Sequence, residues 1–201
     1  MKAVRIHQHG SIDVLKYEDI PNPNIKQNQC LIKIKAAALN HLDIWVRKGI
    51  PGVPLPMIMG SDGSGIVEMV GTNVSTFSVG DRVLIQPLTY CGTCRWCKQN
   101  KENYCDNWGI FGENQDGTQC EYIAINADHL RVIPNKMSFE EAAAFPLVAE
   151  TSYTMLIERA KIKKGETIFV WGASSGVGSM AIQIAKAMGC KVLTTVGNVK
   201  K

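Results

Sequence analysis

Alternation of apolar and polar positions dominates the first two-thirds of the 201-residue chain. Within residues 30–38, for example, Leu31, Ile32 and Ile34 are interrupted by Lys33 and Lys35, which is typical of a half-buried strand. The same reasoning predicts short strands at residues 3–7, 30–38, 65–70, 82–85, 121–126 and 130–133. Glycine- and asparagine-containing turns separate several of them. Many short strands of this kind predict a barrel-like β body.

The pattern changes after Pro134. Ser138 followed by Glu141 is a capping box that opens a short helix, which we expect Pro146 to end. The elements predicted after it are a helix at 148–160, a buried strand at 167–171, a glycine-containing turn at 172–178, a helix at 179–189 and a strand at 191–196. Strand, turn, helix and strand make one βαβ unit. We therefore expect an α/β protein, with residues 1–147 as the β-rich domain and 148–201 as part of a parallel-sheet domain.

Four cysteines give the most specific chemical signal: Cys91, Cys94, Cys97 and Cys105, spaced C-x2-C-x2-C-x7-C. Four thiolates at this spacing can surround one zinc ion in a tetrahedron with no open position, as in structural zinc sites. We predict one structural zinc in a lobe at about residues 88–108. Two disulfides, four free thiols or an iron–sulfur cluster are the alternatives.

Composition narrows the class of protein further. The formal net charge of +4 is small and scattered, so we expect no nucleic-acid partner. There is no run of about 18 apolar residues to cross a membrane. Residues 1–10 contain Lys2, Arg5, His7 and His9 and do not resemble a signal peptide, so we expect a cytoplasmic protein in which disulfides are disfavoured. The expected partner is a small-molecule substrate.

The turn GASSGVG at residues 172–178 lies between a predicted buried strand and a helix. Glycines let the backbone approach a pyrophosphate, and a helix N-terminus supplies free N–H groups. The predicted dinucleotide contacts are Ser174, Ser175, Gly176, Val177 and Gly178. The glycine spacing departs from G-x-G-x-x-G, so a strand–helix connection without a ligand is the alternative.

The end of the second strand predicts the choice of cofactor. NAD-binding folds place a carboxylate there, whereas this chain has Gly197 and Asn198, followed by Lys200 and Lys201. Room at Gly197 and a positive charge at Lys201 would suit a 2′-phosphate, which favours NADP(H). The alternative is that the lysines belong to a frayed terminus.

Together these features resemble the medium-chain dehydrogenase/reductase superfamily, which includes zinc alcohol dehydrogenases and quinone oxidoreductases. The segment 60–67 (GSDGSGIV) stands where that superfamily has G-H-E-G-x-G, and residues 80–83 match its G-D-R-V turn. The resemblance covers the whole chain. It implies a GroES-like barrel-type catalytic domain followed by a Rossmann domain, here incomplete.

The departures from the superfamily concern its second, catalytic zinc. At the positions of its ligands this chain has Asn40 in place of Cys and Ser61 in place of His, with Asp62 beside it and Glu150 as the acid in the third region. Leu42 replaces the hydroxyl of the proton relay. Asn, Ser and Asp are poor substitutes for sulfur and imidazole ligands, so we predict no catalytic zinc.

The resemblance is then to the zinc-independent quinone oxidoreductase and enoyl reductase branches. It implies that Asn40 contacts nicotinamide or substrate, that Asp43 is a structural acceptor and that Thr151 abuts the nicotinamide. For His41, the candidate roles are a cofactor-phosphate or polar-surface contact, a stray ligand or a general acid. The implied reaction is NADP(H)-dependent reduction of a quinone, enone, enoyl thioester or related carbonyl.

Members of this superfamily continue for well over a hundred residues past the second Rossmann strand. We therefore expect the 201 residues to be an inactive portion of a homo-oligomeric parent enzyme, a dimer or tetramer. A zinc-dependent alcohol dehydrogenase with unusual ligands is one alternative. A zinc-stabilised binding or structural module without catalysis is another.

Overall fold

The computed structural model describes residues 1–195 and residue 197. It divides into two compact units, Met1–Pro146 and Leu147–Lys201. The division falls one residue before the boundary that we placed after residue 147.

The first unit is built from short antiparallel strands and two helices. The strands are β1 Lys2–Ile6, β2 Lys16–Asp19, β3 Gln29–Ala37, β4 Met57–Ile58, β5 Gly63–Val70, β6 Arg82–Ile85, β7 Leu88–Thr89, β8 Gly109–Ile110, β9 Tyr122–Asn126 and β10 Leu130–Val132. The main sheet has the order β10-β6-β5-β3-β9, a smaller sheet has the order β2-β1-β4, and β7 pairs with β8. These antiparallel pairings confirm the predicted β-rich body.

The core of the main sheet follows from the alternation along its strands. In β3, Cys30 and Ile32 are fully buried while Leu31 and Lys33 are not. Ile32 packs with Val67, Val83 and other buried side chains from the neighbouring strands. A second cluster, including Ile6, Val46 and Met57, lies under the smaller sheet. Burial on one face fixes the register, because a slip of one residue would expose the whole apolar set.

Helix α1, His41–Lys48, begins directly after β3 and was not predicted from the apolar pattern. The reason is that it buries Asp43 and Val46 rather than a continuous apolar stripe. Asn40 and Asp43 form a capping box at its start. Helix α2, Phe139–Ala143, has the capping box that we predicted between Ser138 and Glu141.

Helix α3 begins at Pro146, the last residue of the first unit, runs to Tyr153 and continues as a π-helical segment, Thr154–Arg159. Pro146 therefore starts a helix as well as ending one, since proline is favoured at the first helical position. Strands β11, Thr167–Val170, and β12, Lys191–Thr194, are parallel, and α4, Gly176–Ala187, connects them. This is the βαβ unit that we predicted. Among the residues that the structure describes, no helix has the length and apolar character needed to cross a bilayer.

Candidate functional site

The four cysteines converge in a segment between β7 and β8 that we call the cysteine lobe, residues 88–110. Their Sγ atoms all lie within 4.8 Å of one another. The Sγ atom of Cys97 is 3.5 Å from that of Cys94 and 4.0 Å from that of Cys91, and the Cys105 and Cys91 sulfurs are 3.6 Å apart. No disulfide joins them. Sulfurs about 2.3 Å from one zinc would be about 3.8 Å apart, so these four fit a tetrahedral structural zinc site.

Backbone N–H groups point at the sulfurs. The N–H of Cys94 donates to Cys91 Sγ at 3.3 Å, and the N–H groups of Cys91 and Asn107 donate to Cys105 Sγ at the same distance. The hydroxyl and N–H of Thr93 also donate to Cys91 Sγ, and these bonds lower the pKa of that thiol to about 6. Such donors favour thiolates, which are the form that binds metal.

Cys97 lies in the opposite environment. It is buried, and burial raises the pKa of its thiol to about 12. A thiolate in this position requires a positive charge beside it, because a buried anion without a partner is strongly disfavoured. The burial of Cys97 and the hydrogen-bond donors around Cys91 are therefore both consistent with a cluster in which a bound cation would stabilise the thiolates.

The lobe is attached to the β body through aromatic side chains. The ring of His129, which is 5% exposed, lies edge-on to Tyr90 at 4.8 Å and to Phe111 at 5.8 Å between centroids. Burial lowers the pKa of His129, and its Nδ1 atom has no hydrogen-bond partner in the described part of the chain. The packing around His129 therefore favours a neutral ring.

A second site, the amide corner, consists of Asn40, Asp43 and Asp62. Asn40 Nδ2 donates to Asp62 Oδ2 at 2.9 Å, and the Asn40 backbone N–H donates to Asp43 Oδ2 at 2.7 Å. Asp62 is 1% exposed and Asp43 is 7% exposed, while Asn40 is half-buried. Two buried carboxylates thus hold one amide residue by its side chain and by its backbone.

Chain topology assembles this corner from segments that are distant in sequence. Asn40 follows β3 and Asp62 precedes β5, and the two strands are paired. The carbonyl oxygen of Asp62 accepts hydrogen bonds from Ala38 N–H at 3.1 Å and from the Thr118 hydroxyl at 2.7 Å. Gly117 lies so close to the Gly60 carbonyl that no side chain fits between them. The segment preceding β9 therefore packs against the corner, through Thr118 on Asp62 and Gly117 on Gly60.

Burial gives the corner unusual electrostatics. It raises the pKa of the Asp43 carboxyl, an effect that backbone hydrogen bonds from Asn40 and Gly60 oppose. Among the residues that the structure describes, Asp43 Oδ1 and the Ser61 hydroxyl are buried and have no hydrogen-bond partner. Within residues 1–195 and 197, the cysteines form the one group of three or more Cys, His, Asp or Glu side chains placed to share a metal ion.

The other predicted catalytic residues have different surroundings. His41 lies at the start of α1 with its ring exposed and edge-on to Trp45, at 4.9 Å between centroids. Thr151 lies on α3 in the second unit, where its hydroxyl donates to the Leu147 carbonyl at 2.7 Å. The Thr151 hydroxyl therefore donates within its own helix.

The glycine loop of the second unit joins β11 to α4. Gly172 has φ of +77°, and Gly178 packs so closely on the Gly172 carbonyl that a larger residue would not fit. Ser175 is the N-cap: its hydroxyl accepts from Gly178 N–H at 2.9 Å and donates to the Gly172 carbonyl at 3.0 Å. The hydroxyl that we predicted as a ligand donor is thus used within the loop. The N–H groups of Gly176 and Val177 lie in the first helical turn, where helices leave N–H groups without intrahelical acceptors.

Not every predicted cofactor contact lies in the described part of the chain, and two residues of the amide corner were not predicted. Gly197 is exposed, whereas Asn198 and Lys201 lie outside the described residues. Thr118 and Gly117 belong to the site but were not predicted from the sequence. No local spacing could have predicted them, because they are more than 50 residues from Asp62 and Gly60.

Comparison with known proteins agrees with this description. The family described as Alcohol dehydrogenase GroES-like domain matches residues 26–135. A crystal structure of an NAD-dependent alcohol dehydrogenase superposes with a TM-score of 0.97 and 42% identity, covering 100% of this chain and 59% of that one.

Two curated relatives carry other activities in their names. The quinone oxidoreductase of Pongo abelii is 37% identical over 201 residues, covering 98% of this chain and 53% of its own length. The acryloyl-coenzyme A reductase of Metallosphaera sedula is 35% identical over 196 residues, covering 96% and 58%. The chain spans little more than half the length of the curated relatives it matches. The chain belongs to the alcohol dehydrogenase GroES-like domain family, within the medium-chain dehydrogenase/reductase superfamily.

Proposed function

We propose that the protein containing this chain is an NADP(H)-dependent oxidoreductase that reduces a quinone, enone, enoyl thioester or related carbonyl without a catalytic zinc. The observation that carries the proposal is the hydrogen bond from Asn40 Nδ2 to Asp62 Oδ2. The bond joins Asn40, which stands where zinc alcohol dehydrogenases of the superfamily have their first ligand, to Asp62, which lies beside Ser61 at the position of the second.

The chemistry of these side chains supports an organic reaction site rather than a metal site. The amide NH2 of Asn40 is a donor, and the neighbouring Ser61 offers a neutral hydroxyl. Neither is a usual ligand of a catalytic zinc, which prefers imidazole, thiolate or carboxylate. The second N–H of the Asn40 amide can instead donate to a carbonyl oxygen that gains negative charge as hydride adds.

The second unit supports the cofactor part of the proposal. The N–H groups of Gly176 and Val177 and the close packing of Gly178 on Gly172 suit a pyrophosphate group at the start of α4. When bound, the nicotinamide cofactor supplies the hydride. The preference for NADP(H) rests on the absence of an acidic residue after β12 in the sequence.

The cysteine lobe has a structural role in this proposal. Four sulfurs leave no open position for a substrate, so an ion held there would stabilise residues 88–110 and take no part in the reaction. The names of the quinone oxidoreductase and acryloyl-coenzyme A reductase relatives support the substrate class. A homo-oligomeric parent, dimer or tetramer, stays a prediction.

A second candidate function is oxidation of an alcohol with NAD. It is favoured by the 42% identity to the structure titled NAD-dependent alcohol dehydrogenase. The two candidates differ in metal content and in the role of Asn40. A zinc alcohol dehydrogenase would hold two zinc ions per chain, whereas the proposed reductase would hold one.

The test combines zinc analysis with steady-state kinetics of the purified protein, using NADPH or NADH with quinone, enone and alcohol substrates. We expect one zinc per chain, reduction of a conjugated carbonyl and a preference for NADPH. Asn40→Leu should lower kcat about 10²-fold, as expected for loss of one oxyanion donor. Asn73→Leu, on an exposed turn, is the matched control and should leave kcat unchanged. Two zinc ions with alcohol oxidation would establish the second candidate instead.

A further inference from the structure

Asp62 is the most deeply buried acid of the first unit. Its carboxylate binds the side chain of Asn40, the amide that we propose to bind substrate. Its carboxylate Oδ2 atom accepts from Asn40 Nδ2 at 2.9 Å, and the residue is 1% exposed. Asn40 itself is half-buried. The buried partner thus lies on the inner side of the pair, and the accessible side belongs to the amide.

A carboxylate facing an amide fixes which way round the amide is. An ionised carboxylate has only acceptor oxygens, so it binds the NH2 end and repels the C=O end. A free asparagine side chain can turn over, because its oxygen and nitrogen have nearly the same shape. Asp62 removes that ambiguity at Asn40.

Two further contacts make Asp62 a rigid support. Its carbonyl oxygen is held by the Thr118 hydroxyl at 2.7 Å and by the Ala38 N–H at 3.1 Å. The Asn40 backbone is held independently, through its N–H bond to Asp43 Oδ2 at 2.7 Å. The backbone of Asn40 is therefore held by Asp43 and its NH2 group by Asp62, while the capping box places the Asn40 side-chain oxygen on the Asp43 N–H. Asp62 is the acid that binds the NH2 end of the amide.

We propose that Asp62 is a positioning residue that turns the Asn40 amide so that its second N–H donates to the carbonyl oxygen of the substrate. This inference rests on the proposed function. It assigns to Asp62 a role that acts through Asn40, without contact to substrate or cofactor. It also predicts that catalysis requires Asn40 as the donor and Asp62 as the acceptor, and that a hydrogen bond in the opposite direction is not sufficient.

The first test variant changes Asp62 alone. Asp62→Asn leaves two amides facing each other, so position 62 no longer binds the NH2 end of Asn40 exclusively, and the capping box alone favours one direction of the amide. We expect kcat for a conjugated carbonyl to fall roughly tenfold to hundredfold, with little change in the KM for NADPH. Asp19→Asn, in an exposed ion pair with Lys2, is the matched control and should leave kcat unchanged.

The double variant Asn40→Asp with Asp62→Asn restores a donor–acceptor pair in the reverse sense. Its Tm should recover relative to the single variants, because the buried hydrogen bond is made again. Its kcat should stay low, because position 40 then carries only acceptors. Recovery of kcat together with Tm would overturn the assignment and leave the pair a purely structural role.

The outcomes also separate this inference from the proposed function. If the unaltered protein reduces the carbonyl and Asp62→Asn does so equally well, the positioning role is wrong while the proposed function stands. If the unaltered protein reduces no conjugated carbonyl with either cofactor, the proposed function is wrong, and the role of Asp62 is overturned with it.

Discussion

The cysteine lobe and the amide corner belong to the same β-rich unit, yet each is built from different chemical groups. The lobe gathers four soft sulfur atoms within 4.8 Å from one short stretch of chain, with few apolar side chains around them. The corner joins an amide to two buried carboxylates supplied by segments about 20 residues apart. The lobe has a ligand set that fits a cation, whereas the corner is held by hydrogen bonds to buried carboxylates.

This difference makes metal removal the strongest test of the comparison. Cys97→Ser, or exhaustive chelation, should remove the zinc and unfold the lobe, because structural zinc sites contribute about 10 kcal/mol or more in isolated zinc-binding peptides. Amide hydrogen exchange should become fast across residues 88–110, while β3 and β5 remain protected. Zinc analysis and exchange mass spectrometry measure both effects.

Cys120→Ser is the matched control for metal removal. Cys120 lies outside the cluster, and its thiol lies within donating distance of the Tyr122 carbonyl at 3.2 Å and the Gly117 carbonyl at 3.5 Å, either of which a hydroxyl can also bind. It should keep one zinc per chain. Loss of protection in β3 and β5 after zinc removal would show that the corner depends on the lobe, contrary to the comparison.

The two sites also differ in how far they could be predicted. Cysteine spacing alone was enough to identify the lobe, because all the ligands are side chains on adjacent turns of one segment. Strands β1, β3, β5, β6, β9 and β10 and the βαβ unit were predicted as well, since alternation and capping residues act locally. The short strands β2, β4, β7 and β8 were not predicted. Helix α1 was missed because it buries Asp43, a charged residue that an apolar pattern does not count as core.

The corner could be predicted only in part. The superfamily resemblance pointed to Asn40 and Asp43, but not to their geometry. The bond from Asn40 to Asp62 depends on the register between β3 and β5, which includes two bulge-like shifts. Thr118 and Gly117 reach the corner through tertiary packing alone. A register shift has no signature in the sequence, so this part of the site requires coordinates.

The corner has its own weak point at Gly117. A Cβ atom there would collide with the Gly60 and Met59 carbonyl oxygens, which are backbone atoms that cannot rotate away. Gly117→Ala should displace Thr118 from Asp62 and lower the free energy of unfolding by about 3 kcal/mol, as overpacking does. Urea unfolding at constant zinc measures the effect, and the zinc content should not change.

Gly10→Ala is the control for the glycine substitution. Its added Cβ would meet only a methyl group of Val14, which can move. An equal loss of stability in both variants would show that the effect comes from glycine replacement in general. Release of zinc from Gly117→Ala would show that the two sites are coupled.

The smallest expected effect concerns the seam between the lobe and the β body. His129 is buried between Tyr90 and Phe111, and burial lowers its pKa below the ordinary value of 6.5; Asp128 opposes this shift and Arg131 adds to it. The unfolded chain therefore takes up the proton first, so the stability that His129 contributes is complete above about pH 6.5 and is lost as the pH falls below it.

His129→Phe keeps an aromatic ring but cannot titrate, so its Tm should fall less than that of the unaltered protein between about pH 7 and about pH 5. His41→Phe, at an exposed ring, should follow the unaltered protein. Identical pH profiles for all three proteins would mean that protonation of the cysteine lobe itself, rather than of its seam, governs stability in acid.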